Sequence, residues 1–474
     1  MKRGVIIFMF CCFAWSANAQ DSNDDYQSYR KKMLTDYQGF RKNILDDYAK
    51  FLNGIWKDYE MFTGRISRPV PKPVVQPQKK DDEPEPVPQN IVPEDVKPAE
   101  PDVDDHSPAP KPVVVPPTSM VSFDWCGMNM QLPDAKISGN LNVLSKESLV
   151  AYLEEVGNSR LDKDVIPQLI NAANVYNLND WCVFMFIESY VKKIKSNANK
   201  NTRNFICWYM LASLGYDVRL SVNGNNLFYL VRFQQLVYAR SYIKINDIPY
   251  YIWGEGELDK NGGLSTPEVT EEVGNSVNLV ITKPLTIPYR AKKFTHTFAG
   301  RTLSVEVNEN IIQVMKRFPQ IPIPAYAMSS GDNKMRSQVL TQMKQFIQGM
   351  NELEAANFML QFIQSFDYAT DDEQFGYEKP FFIEEILYYP KCDCEDRSIF
   401  YYFLVTKLLG NSVHLVSYPN HECTAVNFSQ QLNADSYIYQ GKQYVICDPT
   451  YIGATIGMCM PDFKNVKPEI DVIK

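Results

Sequence analysis

The stretch KCDCEDRSIF, residues 391–400, holds two cysteines on either side of one aspartate. Cysteine side chains bind metals, form disulfides or, as thiolates, attack carbonyl carbons. Residues 395–409 contain neither Gly nor Pro and carry apolar side chains at helical intervals, which predicts a buried helix that begins near Cys394. The amide groups at a helix N-terminus lower the pKa of a thiol, and the charges of Glu395 and Asp396 partly oppose that effect.

A thiolate nucleophile also needs a general base, and histidine is the commonest choice. The chain has only four histidines, and two of them closely follow Cys394. His414 lies inside the alternating run VHLVSY, where a packed strand histidine is the favoured interpretation. His421 follows the turn Pro419-Asn420 and begins a new strand, so its side chain is placed to face a cleft.

The third candidate residue is Asp448, which ends the strand YVICDPTY because Pro449 cannot continue a ladder. A carboxylate there can accept the imidazole N–H and fix the histidine tautomer, although an Asp-Pro turn is the structural alternative. Cys394, His421 and Asp448 come from one helix start and two neighbouring strand ends. The sequence therefore predicts these three as catalytic residues.

The same stretch also allows a metal site or a disulfide. Cys392, Cys394, His421 and Cys423 form C-x-C and H-x-C pairs whose donor atoms suit zinc. Their spacing is tighter than that of most zinc sites, so we predict neither a metal nor a cofactor. The cysteines are too sparse for a disulfide framework, but a disulfide between Cys423 or Cys447 and a neighbour stays open.

Three motifs resemble a known family. DCEDRSIFYYFLVTKLLG, His421 before TAVNF, and YVICDPTY look like the Cys, His and Asp motifs of transglutaminase-like proteins, which share the papain-like fold. The resemblance covers roughly residues 358–461 and is close to secreted transglutaminase-like proteins of Bacteroidota. It implies Cys394 as the nucleophile, His421 as the general base and then acid, and Asp448 as the orienting residue. The family has an acid two residues after its cysteine, here Asp396, which favours Cys394 over Cys392.

The sequence departs from the family pattern at two places. Cys392 stands where a glycine usually precedes the motif, and Cys423 and Thr424 stand where an aromatic residue often follows the histidine. Neither departure removes a catalytic group, but both change the expected shape of the cleft.

Two globular stretches of the chain resemble one another. FIESY at residues 186–190 matches FIQSF at 362–366, and LGYDVRLS from Leu214 matches LGNSVHLV from Leu409 at an offset of 195. Each stretch reads as helices followed by strands. We therefore predict an α+β fold made of a papain-like, transglutaminase-like catalytic domain at 286–474 and a degenerate copy of it at 119–285.

The two predicted copies differ at the catalytic positions. The offset places Asn199, Asn226 and either Trp253 or Gly254 where the second copy has its three catalytic residues. The first copy is therefore expected to lack thiol chemistry, and its Cys182 and Cys207 are expected in the core. The second copy is also longer before the cysteines, because it includes the stretch DDEQFGYEKPFFIEEILYYP.

The N-terminal part of the chain differs in composition from the rest. Residues 1–19 read as a secretory signal peptide removed after Ala19. Residues 20–64 repeat an Asp-Tyr pair every 11 residues, which predicts an amphipathic helix that associates with another chain as a coiled coil or folds back on its own body. Residues 65–118 hold half of the chain's 30 prolines and are predicted to be a disordered, proline-rich linker.

Charge and hydropathy limit the partners. A net charge of -8 with no basic cluster argues against nucleic acid, and no later apolar run is long enough for a membrane helix. We expect a secreted or periplasmic, envelope-associated cysteine enzyme that transfers acyl groups from amide bonds of proteins or peptides, with hydrolysis favoured over crosslinking. The alternative is a non-catalytic envelope binding or scaffold protein built from transglutaminase-like modules.

Overall fold

The computed structural model describes residues 46, 48–64, 119–259, 263–268 and 274–473. The predicted signal peptide, most of the predicted N-terminal helix and the proline-rich segment 65–118 lie outside the described residues. Within the described ranges, no helix has both the length and the apolar character that crossing a bilayer requires.

The first region combines a hairpin, a series of helices and a six-stranded antiparallel sheet. In chain order its elements are β1 (Trp56–Tyr59), β2 (Met120–Trp125), β3 (Met128–Pro133), α1 (Lys146–Gly157), a π-helical turn (Leu161–Val165), α2 (Ile166–Val175), α3 (Asp180–Ile194), α4 (Lys200–Ser213), β4 (Val218–Asn223), β5 (Asn226–Val231), β6 (Tyr242–Ile245), β7 (Ile248–Trp253) and β8 (Leu264–Pro267). The sheet has the strand order β1-β8-β4-β5-β7-β6, while β2 and β3 pair with each other.

The second region also combines a hairpin, helices and an antiparallel sheet, here of five strands. Its elements are β9 (Ala291–Phe298), β10 (Arg301–Asn308), α5 (Glu309–Met315), α6 (Ile323–Met328), α7 (Asn333–Phe346), α8 (Glu352–Gln364), α9 (Asp371–Phe375), α10 (Ile383–Ile386), α11 (Cys394–Leu408), β11 (Ser412–Tyr418), β12 (His421–Asn427), β13 (Ser436–Tyr439), β14 (Lys442–Cys447), a 3₁₀ turn (Pro461–Phe463) and β15 (Glu469–Val472). The sheet has the order β13-β14-β12-β11-β15.

Five strands of the first sheet have the same order as the five strands of the second sheet. From one edge, the strand order is β6-β7-β5-β4-β8 in the first sheet and β13-β14-β12-β11-β15 in the second. If the strands β4–β8 and β11–β15 are each numbered in chain order, strands with the same number occupy the same position in the two sheets. A long helix directly precedes each sheet, α4 in the first region and α11 in the second. The first sheet has one further strand, β1, which pairs with the outer edge of β8.

The described part of the N-terminal segment corrects the predicted helix over residues 20–64. Residues 48–53 are helical, but residues 56–59 form the strand β1, which pairs with β8. The amide of Gly54 bonds to the carbonyl of Phe51 at 3.1 Å, where the helix ends. Ile55, which follows directly, is 74% exposed instead of lying on a buried helical face. The prediction was wrong here because the edge of β8 offers the backbone of residues 56–59 a pairing partner.

This segment packs on its own chain. The ring of Tyr48 lies 4.9 Å from that of Trp208 in α4, and Leu52 is fully buried in the same core. The repeat was predicted either to associate with another chain or to fold back on its own chain, and the described residues agree with the second interpretation. The repeat units before residue 46 lie outside the described residues.

The helix α11 occupies the centre of the second region, as its lack of Gly and Pro predicts. Phe400 and Leu404 are fully buried, and the hydroxyl of Tyr401 donates to the carbonyl of Ala356 in α8 at 3.2 Å. The helix packs against β11 and β12 on another side. Burial on several sides fixes the position of its first residue, Cys394, against the sheet.

Candidate active site

The first turn of α11 is tied directly to strand β12. The hydroxyl of Ser398 donates to the carbonyl of Cys394 at 2.8 Å and approaches the carbonyl of Glu422 at 3.1 Å. Arg397 donates to the carbonyl of Phe366 at 2.6 Å on another side of the helix. These contacts hold Cys394 beside the start of β12, where His421 also stands.

His421 and Asp448 form a buried hydrogen-bonded pair. His421 Nε2 lies 2.8 Å from Asp448 Oδ2. The other carboxylate oxygen of Asp448 accepts from the amides of Thr450 at 2.9 Å and Tyr451 at 3.2 Å, which fixes its orientation. The imidazole also stacks on Phe463, with ring centroids 5.1 Å apart and planes 4° from parallel. The second ring nitrogen, Nδ1, therefore has a fixed direction.

The pKa of His421 is raised above its ordinary value. Burial by itself lowers this pKa, but the charge and hydrogen bond of Asp448 raise it, with smaller contributions from Glu422 and Glu395. The surroundings thus favour the imidazolium form. A general base that must hold a proton taken from a thiol needs this kind of support.

Cys394 lies near this pair without bonding to it. Its side chain is buried, with 1% of the residue exposed, and its Sγ donates to Glu395 Oε2 at 3.0 Å. The backbone N–H of Glu422, the residue after His421, is also close to the sulfur. Within the described part of the chain, no hydrogen bond joins Cys394 to His421. The structure thus pairs two of the three predicted residues and places the third beside the adjacent backbone.

The pKa of the Cys394 thiol is raised, whereas the position at a helix N-terminus was expected to lower it. Burial contributes most to the increase, followed by the charges of Glu395 and Asp393, and the N–H of Glu422 acts in the opposite direction. A buried thiolate loses its hydration and meets two carboxylates, and these effects outweigh the favourable helix end. These surroundings favour the neutral thiol form of Cys394 over the thiolate.

The alternative zinc set does not assemble as a whole. Among the described residues, donor atoms of His421, Cys423 and Asp448 lie within 4.8 Å of one another, but Cys392 and Cys394 do not join them. Cys392 Sγ instead faces the carbonyl of Asp367 at 3.9 Å. The disulfide that the sequence left open is not formed either, since the cysteines of the described ranges are free thiols.

Other interpretations of single residues agree with the structure. His414 is a packed strand histidine, as favoured, because its ring stacks on Tyr444 at 3.8 Å and its Nδ1 lies 3.0 Å from the hydroxyl of Tyr437. Cys182 and Cys207 are buried in α3 and α4, as expected for core residues. None of these side chains takes part in the candidate site.

The positions that the offset matches in the first region carry structural residues. Asn199 caps α4, accepting the amide of Thr202 at 2.9 Å. Asn226 begins β5 and donates to the carbonyl of Glu257 at 3.1 Å. Trp253 ends β7 and packs edge-on against Trp181, with ring centroids 5.0 Å apart. These three residues provide no nucleophile or base.

Sequence reasoning missed a group of buried acids around the start of α11. Its members are Asp371, Glu378, Asp393, Glu395 and Asp396, from α9, from the loop that follows it and from the beginning of α11. The only signal was their place in the sequence: the inserted stretch DDEQFGYEKPFFIEEILYYP leads directly into the two cysteines. Charged residues in an insertion normally face solvent, so their burial was not expected.

No protein-family model, curated protein or solved structure matches the chain. The geometry and chemistry of the side chains described above are therefore the basis for assigning a function.

Proposed function

We propose that this protein is a cysteine-dependent acyl-transfer enzyme of the transglutaminase-like superfamily, acting on amide bonds of proteins or peptides. The observation that carries the proposal is the buried His421–Asp448 pair at the start of β12, the strand to which Ser398 ties the first turn of α11 and therefore Cys394. A cysteine at a helix start and a His-Asp pair at two strand ends supply a nucleophile, a base and an orienting group. The site needs no cofactor for this chemistry.

In the proposed reaction, Cys394 attacks the carbonyl carbon of an amide. His421 takes the thiol proton on Nδ1 while Asp448 holds Nε2, and backbone N–H groups near the start of α11 stabilise the oxyanion. The C–N bond then breaks, the amine leaves with the proton from His421, and a thioester remains on Cys394. Water attacks the thioester, a C–O bond forms, and the C–S bond breaks to release the acid and the free thiol.

A primary amine in place of water would form a new amide and thus a crosslink. Both outcomes use the same nucleophile and base, so the residues described here do not distinguish them. We favour hydrolysis, which makes the protein a peptidase or amidase, because the sequence carries no signature of a site for a second, amine substrate.

Catalysis requires one rearrangement from the geometry described. The thiol of Cys394 donates to Glu395 in the free protein and must turn to His421 before it can lose its proton. Catalytic hydrogen bonds often form only when substrate is bound. We infer that substrate binding displaces Glu395 from the sulfur.

We further propose that residues 119–285 are a degenerate copy of the catalytic domain, which we place at 286–474 with a papain-like arrangement. The common strand order of the two sheets supports this duplication. The offset of 195 also relates His421, the first residue of β12, to Asn226, the first residue of β5. In this proposal the first copy serves packing or partner binding, since it has no thiol at the matched helix start.

Residues 1–19 favour export, so we propose that the enzyme works in the periplasm, at the cell envelope or outside the cell. The segment around Tyr48 docks on α4, and the proline-rich residues 65–118 connect it to the first copy. We propose that the repeat units before residue 46 take part in self-association or bind another protein.

A second candidate function is supported by the state of Cys394. This residue is almost fully buried, and its thiol pKa is raised well above the ordinary value. Both properties suit a non-catalytic binding or scaffold protein of the cell envelope, in which the second copy has kept the shape of an enzyme without its activity.

A peptide-library experiment separates the two candidates. The chain without residues 1–19 is incubated with peptides from a digested proteome, with and without a fluorescent primary amine, and new termini and amine adducts are identified by mass spectrometry. We expect cleavage or adduct formation that Cys394→Ala abolishes and the matched variant Cys392→Ala retains. Products that persist in Cys394→Ala, or a wild-type protein that forms none, would favour the scaffold candidate.

A further inference from the structure

The buried acids around α11 form two overlapping triplets. Carboxylate oxygens of Asp371, Asp393 and Asp396 lie within 4.8 Å of one another, and the same limit holds for Asp371, Glu378 and Glu395. Asp371 begins α9, and Asp393 is the residue directly before α11. Because Asp371 belongs to both triplets, the five side chains converge on one small volume.

Some of these oxygens are satisfied and others are not. Asp396 accepts the amides of Phe381 at 2.7 Å and Asp393 at 3.2 Å, and Asp371 accepts the amide of Lys379. In contrast, Oδ1 of Asp393, a residue only 2% exposed, is buried without a hydrogen-bond partner among the described residues. Both side-chain oxygens of Glu378 are also buried, with only the carboxyl group of Glu395 close to them. Buried polar atoms in native proteins nearly always have a partner, so these oxygens point to a ligand.

The basic side chains nearest the acids are engaged elsewhere. The side-chain Nζ of Lys379 donates to Glu385 rather than to the five acids. Arg397 donates to the carbonyl of Phe366, and its guanidinium lies 5.2 Å from the ring centre of Tyr368. Among the described residues, no basic side chain forms a hydrogen bond or ion pair with the five acids, although the charge of Lys379 acts on Asp371 and Asp396.

We propose that Asp371, Glu378, Asp393, Glu395 and Asp396 bind one Ca²⁺ ion. Calcium takes several oxygen ligands at about 2.3–2.6 Å, so oxygens on opposite sides of the ion lie about 4.6–5.2 Å apart. The oxygens within each triplet lie at most 4.8 Å apart, so they are close enough to bind one such ion together. Magnesium holds its ligands closer and keeps several waters, and zinc prefers nitrogen and sulfur donors, which this group does not contain.

The site binds Ca²⁺ whether or not Cys394 is a nucleophile, so the proposal stands independently of the acyl-transfer function. The test is isothermal titration of CaCl₂ into the chain without residues 1–19, after treatment with a chelator and dialysis. We expect one Ca²⁺ per chain and a melting temperature that rises with Ca²⁺ concentration.

Variants locate the binding to the proposed site. Asp371→Asn changes the residue shared by both triplets and should weaken Ca²⁺ binding by about tenfold or more. Asp372→Asn changes its exposed neighbour and should leave the affinity unchanged. Glu378→Gln is the second test variant and should also weaken binding, so the site is still tested if Asp371→Asn does not fold.

Three results would overturn the proposal. The first is a wild-type protein that binds no Ca²⁺ at millimolar concentration, and the second is equal affinity in the Asp371→Asn, Glu378→Gln and Asp372→Asn variants. The third is Mg²⁺ that binds at this site as tightly as Ca²⁺, because the proposed ligand set should prefer the larger ion. Loss of peptide cleavage with intact Ca²⁺ binding would count against the proposed enzyme activity alone.

Discussion

The two sheets share a strand order but differ in what stands at their strand ends. In the first sheet, Asn226 begins β5 and Trp253 ends β7 within an aromatic cluster. In the second, His421 begins β12 and bonds to Asp448 directly after β14. The first sheet shows that amide and aromatic side chains can occupy these strand ends in a sheet of this strand order. The buried His-Asp pair is therefore not a requirement of the fold, and buried ion pairs are weak evidence for stability.

The helix starts differ in the same way. Asn199 caps α4 with a hydrogen bond to the amide of Thr202, a common and stabilising arrangement. The start of α11 instead buries Cys394 among Asp393, Glu395 and Asp396. Burial of several carboxyl groups at one place lowers stability unless a proton or cation neutralises them. The thiol and carboxyl groups at the start of α11 thus lower the local stability of the second region, which is typical of functional sites.

The largest effect should come from the matched strand positions. In the second sheet, His421→Ala removes the proposed base and should lower kcat/KM by about 10³-fold or more, measured on a peptide found in the library experiment. In the first sheet, Asn226→Ala should leave kcat/KM within about twofold, because it changes no proposed catalytic group. Equal losses in both variants would mean that the sheets do not differ in the way described.

The next effect concerns stability in the first region. Trp253→Ala removes a buried ring that contacts Trp181 and Phe184, and it should lower the free energy of unfolding by about 3–5 kcal/mol, measured by urea denaturation. Tyr377→Ala is the control, because this ring is 60% exposed, and its effect should stay within about 0.5 kcal/mol. A loss for Trp253→Ala as small as that of the control would contradict the structural role assigned to this position.

A smaller effect is expected at the helix start of the first region. Asn199→Ala removes the cap of α4 and should lower the free energy of unfolding by about 1 kcal/mol. Asn199→Ser keeps a capping oxygen but loses the hydrogen bond to Leu141, and should restore about half of the loss. Thermal denaturation measures both values. No difference among wild type and the two variants would contradict the capping role.

The smallest effect is a pH dependence. Asp448 raises the pKa of His421 in the folded state above its unfolded value, so the stabilisation is present below the unfolded pKa and is lost as pH rises through the folded pKa. The difference in unfolding free energy between wild type and His421→Gln should therefore be larger at about pH 5 than at about pH 8.

His414 provides the control of opposite sign. Burial lowers its pKa, so in wild type its contribution favours the folded state more as pH rises. His414→Gln should accordingly remove a stability increase between the same two pH values. A pH dependence of the same sign for both variants would show that Asp448 does not govern His421.

Local patterns predicted a good part of this molecule. The helix that starts at Cys394 and the strands that place His421 and Asp448 follow from apolar periodicity and from the turn residues between them, and the structure confirms these elements. The mixed α+β class follows from the same patterns. Such features depend on neighbours in sequence, which is why periodicity is informative.

Other features depend on contacts between distant parts of the chain. The strand β1 forms only because β8, more than 200 residues later, presents an unpaired edge. The burial of Asp371 and Glu378 depends on where the inserted segment meets the start of α11, and an acidic insertion alone is typical of a solvated loop. The raised pKa of Cys394 has the same origin, because it results from burial and from assembled carboxylates rather than from the helix end.

The most direct test of the central claim compares buried thiols of the two regions. The reduced protein is alkylated with iodoacetamide over a range of pH values, and peptide mapping gives a rate for each cysteine. Cys182, Cys207 and Cys394 are all buried with raised pKa values, but only Cys394 lies near a base to which its thiol can turn. Our account therefore predicts that Cys394 reacts faster than the other two thiols and that His421→Ala slows Cys394 alone. A Cys394 that reacts as slowly as those two core thiols, with no response to His421→Ala, would contradict a thiol–imidazole pair in the second region.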